Sequence, residues 1–441
     1  MPRLASVACS YADVVRAPSY FPLWLSQLVS GFGDTLHYVA LVVLDFQITG
    51  RGVAVAVLVA AEVVPVLLLG PVAGVVIDRF DRKTVLISAD LGRAALVASL
   101  VWPQGAWHAY AVAAGLAVGN AFFNPTVQAV IPAITTPDQR LAANPVAWST
   151  GRLVQIVAAA TAGGLIALVG TDAAFAINAA SFVGSALLIA RLRVPPHAGQ
   201  VGADATRGLA GYLADARAGL TFARRDRFVS RLLVVQTLAS LATGATGAML
   251  VVLAERHLRL PPSGFGWLLG AIGAGALLGP LIPNALAGGD RAARWLFVPY
   301  VVRGIGDVLL AVVTPLPAAL LILFVYGVGT STGAVVFATA VQRAVPDAVR
   351  GRVYTLLDAA WNAARLLSLA GGAVLVDAVG VRPVFWLGGT LLVLAGLLGL
   401  ALLGRDDGRP RGADGSGANS PTIAHVAADR VWQPGAEGTN P

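Results

Sequence analysis

The chain has 441 residues, 57% of them hydrophobic and only 12% charged. A soluble domain is nearer a quarter charged, so the composition excludes an ordinary water-dissolved enzyme and points to a chain dissolved in lipid. The formal net charge of +8 is no nucleic-acid signature, because the bases are spread between apolar runs instead of sharing one face. One cysteine, Cys9, leaves no intrachain disulfide and no cysteine-based metal site.

Residues 1–19 form a polar leader with no apolar core ahead of a cleavage site, so the first span is expected to act as an uncleaved insertion signal. Twelve apolar runs follow. They lie near 20–44, 52–77, 84–102, 107–131, 144–169, 173–192, 229–253, 264–287, 295–313, 317–342, 353–378 and 383–403. Each approaches the roughly 20 residues that a spanning helix needs and is too uniformly apolar for barrel strands. The fold class expected is therefore an all-α polytopic membrane protein of twelve transmembrane helices. Residues 20–192 would form a six-helix N-terminal half, and residues 229–404 a six-helix C-terminal half. Residues 193–228 would link them on the cytoplasmic side, where Leu209, Tyr212, Leu213, Ala216, Leu220 and Ala223 recur at the spacing of an amphipathic surface helix. Residues 405–441, rich in Gly, Pro, Asp, Arg, Ser and Asn without periodicity, read as a disordered cytoplasmic tail.

Orientation follows from the bases. With both termini in the cytoplasm, the inner segments hold 23 of the 31 Lys and Arg residues and the outer segments only Arg51, Arg256, Arg259 and Arg382. Such an excess marks the cytoplasmic side of a cell membrane. An internal repeat lies on top of the spans. At an offset of 209, Leu68-Leu69-Gly70-Pro71 matches Leu277-Leu278-Gly279-Pro280, Asp81-Arg82 matches Asp290-Arg291, and Pro137-Asp138 matches Pro346-Asp347. Two parallel pseudo-repeats of six spans, related by an axis along the membrane normal, account for this.

Ionisable groups inside spans cost about 2.5–3.5 kcal/mol each at a helix centre and therefore point to function. The acids so placed are Asp34, Glu62, Asp90, Asp307 and Asp358, and the bases are Arg93, Arg152, Arg303 and Arg365. Asp90 with Arg93 and Arg303 with Asp307 fall at helical spacing, where mutual neutralisation is the plain explanation. Asp34 and Glu62 have no base within a turn on their own helices, although His37 lies on the same side as Asp34. Their repeat positions hold Thr243 and Ala271, so the symmetry is broken by the costly group. Both are proton-coupling candidates, with a purely structural role as the alternative. Asp358, Asn362 and Arg365 make one polar stripe, facing either an aqueous path or another helix. Phe122, Asn124, Gln128, Trp148, Gln155, Gln236 and Trp361 are candidates to line an amphipathic cavity, packing being the alternative for the aromatics.

The run Gly70-Pro-Val-Ala-Gly74-Val-Val-Ile-Asp78-Arg79-Phe-Asp-Arg82-Lys83 ends one apolar helix and begins the next, with Gly70 and Gly74 spaced for close helix approach. The pattern Gly74-x-x-x-Asp78-Arg79-x-x-Arg82-Lys83 resembles the loop between helices two and three of the major facilitator superfamily (MFS). Leu28-Val29-Ser30-Gly31-Phe32-Gly33-Asp34, Phe122-Phe123-Asn124-Pro125 ahead of Ile131-Pro132, and Val345-Pro346-Asp347 with Arg350-Gly351-Arg352 resemble its macrolide-efflux and enterobactin-exporter-type branch. The resemblance implies that Asp78 caps or pairs with the start of span eleven, near Arg350 or Arg352, as part of a cytoplasmic gate. Two departures stand out. Residues 107–131 lack the Arg often found in the fourth span of proton-coupled drug antiporters, and Ala159-Ala160 replaces the Gly-Pro expected before Gly163-Gly164.

The function expected is secondary active efflux of an amphipathic drug or secondary metabolite, with protons as the coupling partner and the bilayer as solvent. A siderophore, lysophospholipid or sugar-like substrate is the alternative within transport, and a transporter-derived sensor or scaffold the alternative outside it. No Gly-x-x-x-x-Gly-Lys-Ser/Thr loop supports ATP drive and no His-Glu-x-x-His motif supports a membrane metalloenzyme. Neither a cofactor, a nucleic-acid partner nor a subunit partner is expected.

Overall fold

The structure is a computed structural model that describes residues 13–195, 217, 219–261, 263–282 and 296–403. Residues 405–441 and most of the linker segment fall outside the described residues, as do the side chains of Gly74, Asp78, Trp148 and Arg152. Among the described residues every regular element is helical. The first half holds α1 (Phe21–Thr49), α2 (Gly52–Arg79), α3 (Arg82–Ser99) and α4 (Ala106–Ile134). One further helical run, Pro137–Ala190, is broken at Gly170 into two arms, α5 (137–169) and α6 (171–190). The second half holds α7 (Arg227–Ala248), extended through Leu250–Val252 into a π-helical turn at Leu253–His257, then α8 (Gly264–Leu278), α9 (Val298–Leu310), α10 (Leu316–Ala344), α11 (Asp347–Val379) and α12 (Val381–Leu403). Seven described helices are long and apolar enough to cross a membrane by length and composition.

Local chemistry starts these helices where it should. Asp81 caps α3 by accepting from Thr84 N at 2.9 Å, and Asp226 caps α7 by accepting from Val229 N at 2.9 Å. Thr136 and Gln139 form a capping box at the start of α5. The first span is longer than expected, since α1 continues past residue 44 and encloses the buried Asp45. It stops where Gly50 turns left-handed.

The repeat is present in the backbone as well as in the letters. Gly170 separates α5 from α6 at φ 81°, ψ 173°, and Gly380 separates α11 from α12 at φ 93°, ψ 175°. The helix pairings repeat too. In the first half α2 and α3 pack on α4, and α1 and α3 pack on the α5–α6 run. In the second half α8 and α9 pack on α10, α7 on α11 and α12, and α9 on α12. The halves meet through α2 with α11 and through α5 with α8, two pairings that exchange under the repeat. At the α5–α8 crossing Gly163 and Gly266 lie backbone to backbone, with no space for a Cβ on either.

The buried residues divide unevenly along the helices. At the end that carries the α1–α2 turn, Leu41, Val55, Val251, Leu268, Ala373 and Phe385 belong to one core shared by both halves. At the α2–α3 end there are two cores. Tyr20, Leu23, Val130 and Ile189 form one within the first half, and Val229, Phe297, Val353 and Leu392 form another within the second. Among the described residues, the halves thus share a core at one end and keep separate cores at the other. The described residues 219–228 of the linker pack with the second half: Ala223 is buried in its core, and Gly219 lies against the Arg352 carbonyl.

Candidate functional site

Four polar side chains from both halves each lie within electrostatic range of at least one other of the group. Asp34 and Tyr38 come from α1, Glu62 from α2 and Arg365 from α11, all half-buried. Arg365 lies near enough to attract Glu62 and to act on Tyr38, and Asp34 near enough to repel Glu62. Asp34 also faces Asn178 of α6 and the Arg93–Asp90 pair. The two acids singled out in the sequence therefore belong to one electrostatic group; the base acting on Glu62, Arg365, comes from the opposite half, and the base acting on Asp34, Arg93, from its own. In a low-dielectric interior such charges act over longer distances than in water.

Beside this group, Arg93 is 2% exposed and Asp90 0%. The guanidinium donates to Asp90 Oδ1 and, through Nη1, to Asn120 Oδ1 of α4 at 2.6 Å. It also lies 4.2 Å from the ring centre of Phe123 and 4.4 Å from that of Phe182. A buried guanidinium demands such partners, and the two rings add cation–π attraction. The pair neutralises itself and also ties α3 to α4 and α6. The fourth span contributes no arginine, but the guanidinium of α3 reaches it.

The second half carries a related arrangement with a different partner. Arg303 Nη2 donates to Tyr326 OH at 2.8 Å, with its guanidinium 4.5 Å from the same ring centre. The Arg303–Asp307 pair read from spacing is not a direct ion pair: among the described residues only Asp90 and Arg93 lie within ion-pair distance. A phenol that offers both an oxygen and a π-face has taken the guanidinium, and Asp307 still attracts it from a turn away. Nearby, Tyr300 OH donates to Gln236 Oε1 at 2.6 Å. Gln236 is buried in that bond between α7 and α9, which corrects its reading as a cavity-lining residue.

The remaining candidates scatter. His37 is 3% exposed, set edge-on to Phe175 at 5.4 Å, and neither ring nitrogen has a hydrogen-bond partner among the described residues. Asn124, Gln128 and Gln155 are exposed and Phe122 is half-buried. Trp361 packs on the second half's own core, its carbonyl accepting from Ser240 Oγ at 2.5 Å. The α11 stripe is split: Asp358 is exposed, Asn362 Nδ2 donates to the Asp358 carbonyl at 2.9 Å, and Arg365 turns toward α2.

In the loop motif, Gly74 and Asp78 lie on α2, but their side chains are outside the described residues, as are those of Trp148 and Arg152 on α5. The described bases of the motif hold carbonyls at helix ends. Arg82 Nη1 donates to Ala129 O at 2.9 Å, and Lys83 Nζ to Ala190 O at 2.6 Å and Leu192 O at 3.0 Å. Arg350 Nη2 donates to Gln342 O at 2.8 Å and Val345 O at 3.1 Å. Cations at helix C-termini complement the dipole. Arg79 and Arg352 are exposed. Sequence reasoning missed Tyr38, Asn120, Phe182 and Tyr326. Only Asn120 gave a signal, as an amide in the middle of an apolar span.

Two repeats of six helices, sharing a core at one end and carrying ionisable groups where they meet, are the architecture of the major facilitator class. The chain belongs to that superfamily, within the family described as transmembrane secretion effector (MFS_3), whose profile matches residues 9–406. It is 28% identical over 391 residues to the uncharacterized MFS-type transporter YfiS of Bacillus subtilis, covering 86% of this chain and 91% of that protein. It is 23% identical to macrolide efflux protein A of Streptococcus pyogenes, covering 85% and 93%. It is 28% identical to the multidrug efflux pump Tap of Mycobacterium tuberculosis, covering 88% and 94%. Among solved structures, the nucleoside transporter NupG superposes with a TM-score of 0.65 at 15% identity, over 86% of this chain and 98% of that one. A bacterial homologue of the lysosomal transporter Spinster superposes at 0.66 and 11% identity, over 89% and 97%. Both likenesses concern the fold.

Proposed function

We propose that the chain exports an amphipathic organic compound by alternating access, driven by proton influx through the Asp34–Glu62 group. The observation that supports this reading is that Glu62 lies within electrostatic range of both Asp34 of its own half and Arg365 of the other. A group so placed feels both the protonation of its acids and the relative position of the halves, which is what coupling requires. The names of the relatives, a macrolide efflux protein and a multidrug efflux pump, favour efflux and an amphipathic substrate.

The rest of the reading follows the arginine bias. Residues 20–192 and 229–404 are the two moving halves, both termini and the linker lie in the cytoplasm of a cell-membrane monomer, and the end with separate cores faces inward. Asp78, with Arg79, Arg82, Lys83, Arg350 and Arg352, closes that end in the opposite state. The half-buried Phe122 and the exposed Asn124, Gln128 and Gln155 line the substrate's path. One proton crossing 100 mV releases about 2.3 kcal/mol, enough for a substrate gradient of more than tenfold.

Proteoliposomes loaded with a fluorescent amphipathic dye and given a pH gradient test this. Wild-type protein should concentrate the dye until a protonophore is added. Asp34→Asn should abolish that accumulation and leave downhill exchange intact. An Asp34→Asn protein that still concentrates dye, and still stops with protonophore, removes Asp34 from the coupling.

A further inference from the structure

The α1–α2 turn is gripped from the other half by two groups of opposite charge. Asp377, in the last turn of α11, accepts from Gly52 N at 2.8 Å through Oδ1 and from Val53 N at 3.1 Å through Oδ2. Those are the first two amides of α2, donors that the helix itself leaves unsatisfied. Arg256, in the π-helical turn beyond α7, donates from Nη2 to the Gly50 carbonyl at the end of α1, with its guanidinium 5.4 Å from the Phe46 ring centre. The carboxylate thus meets a helix N-terminus and the guanidinium a helix C-terminus, the signs that both dipoles favour. Val376 and Met249 close around Gly52, so α2 begins in contact with the second half.

Neither group has a counterpart in the first half. The repeat positions of Asp377 and Arg256 are Leu168 and Gln47. The grip is therefore no inherited feature of both repeats, and it lies at the end where the halves share one core. Any state open at that end must withdraw Asp377 from two amides and Arg256 from a carbonyl at once.

We infer that Asp377 and Arg256 are positioning residues of the gate at the α1–α2 end, acting together to hold it shut, and that they set how often the transporter opens there. The inference rests on the alternating-access reading, and its test needs no substrate. A reporter cysteine at Val59, buried in the shared core on α2, is introduced into a Cys9→Ala background in intact cells. A membrane-impermeant maleimide applied outside should label it at least about tenfold faster in Asp377→Ala/Arg256→Ala, the factor a single charge-assisted hydrogen bond carries. Asp377→Ala alone should give an intermediate rate, and Asp377→Glu should restore the slow rate.

A second reporter at Asp358, exposed on α11 toward the end where the halves keep separate cores, separates gating from loosening. In inside-out vesicles its labelling should fall in the same double variant, because opening one end closes the other. Faster labelling at both ends would mean that the residues merely stabilise the fold, and would overturn the inference. Unchanged labelling at Val59 would overturn it as well. Failure of dye efflux by the wild-type protein would refute the transport reading instead.

Discussion

Gly50 and Arg259 stand 209 positions apart and both have positive φ, 61° and 53°. The first half places a glycine where the chain turns left-handed after its first helix, and the second half places an arginine in the same turn. Arg259 is the only non-glycine residue with positive φ among the described residues. A side chain there costs about 1–2 kcal/mol relative to glycine. Arg259→Gly should therefore raise the midpoint of thermal unfolding in detergent by about 1–2 °C, whereas Gly50→Ala should lower it. A lower midpoint for Arg259→Gly would show that its side chain, not its backbone, sets the balance.

Arg93 gives a prediction about assembly. Arg93→Met should lower the yield of folded protein sharply, because Asp90 is left charged and buried, at a cost of about 3–5 kcal/mol. Asp90→Asn in the same chain should recover much of the yield. Size-exclusion profiles of the two variants in detergent decide the point; equal losses in both would mean that Arg93 acts mainly through Asn120 and the two rings.

Glu62 and Arg365 should behave as one unit. Glu62→Gln and Arg365→Gln should each reduce uphill dye accumulation about tenfold, and the double variant should lose little more than either single. Fully multiplicative losses would show that the two residues act independently.

Orientation is checked with single cysteines in a Cys9→Ala background. Thr314→Cys, between α9 and α10, should label from outside the cell, and Arg225→Cys, at the end of the linker helix, only from inside. The reverse pattern would invert the topology and every assignment that depends on it.

Much of the fold was legible because lipid simplifies the code. Apolar length marks each helix, and the pairs Gly-Pro, Asp-Arg and Pro-Asp mark the repeat. Helix ends were less legible, since Asp45 reads as a stop signal but is buried inside α1. At the site, Asp34 and Glu62 stood out because neither had a local base. The bases acting on them could not be read from the sequence, because Arg365, acting on Glu62, lies some three hundred positions away and Arg93, acting on Asp34, lies on another helix, and which faces meet depends on tertiary packing. Arg303 was misassigned for the same reason. Spacing finds partners on one helix, whereas Tyr326 belongs to the next.

The bare contact between Gly163 and Gly266 has a mechanical meaning. Here the helices touch mainly through backbone, with Trp267 the one side chain recorded against Gly163, so sliding one over the other exchanges mostly dispersion contacts worth about 0.1–0.2 kcal/mol each. The α5–α8 crossing is thus suited to be a smooth bearing, while the charged grip at the α1–α2 turn acts as a catch. Gly266→Val should roughen that bearing, slowing turnover without changing the dye gradient finally reached. A lower final gradient at unchanged initial rate would rule this role out.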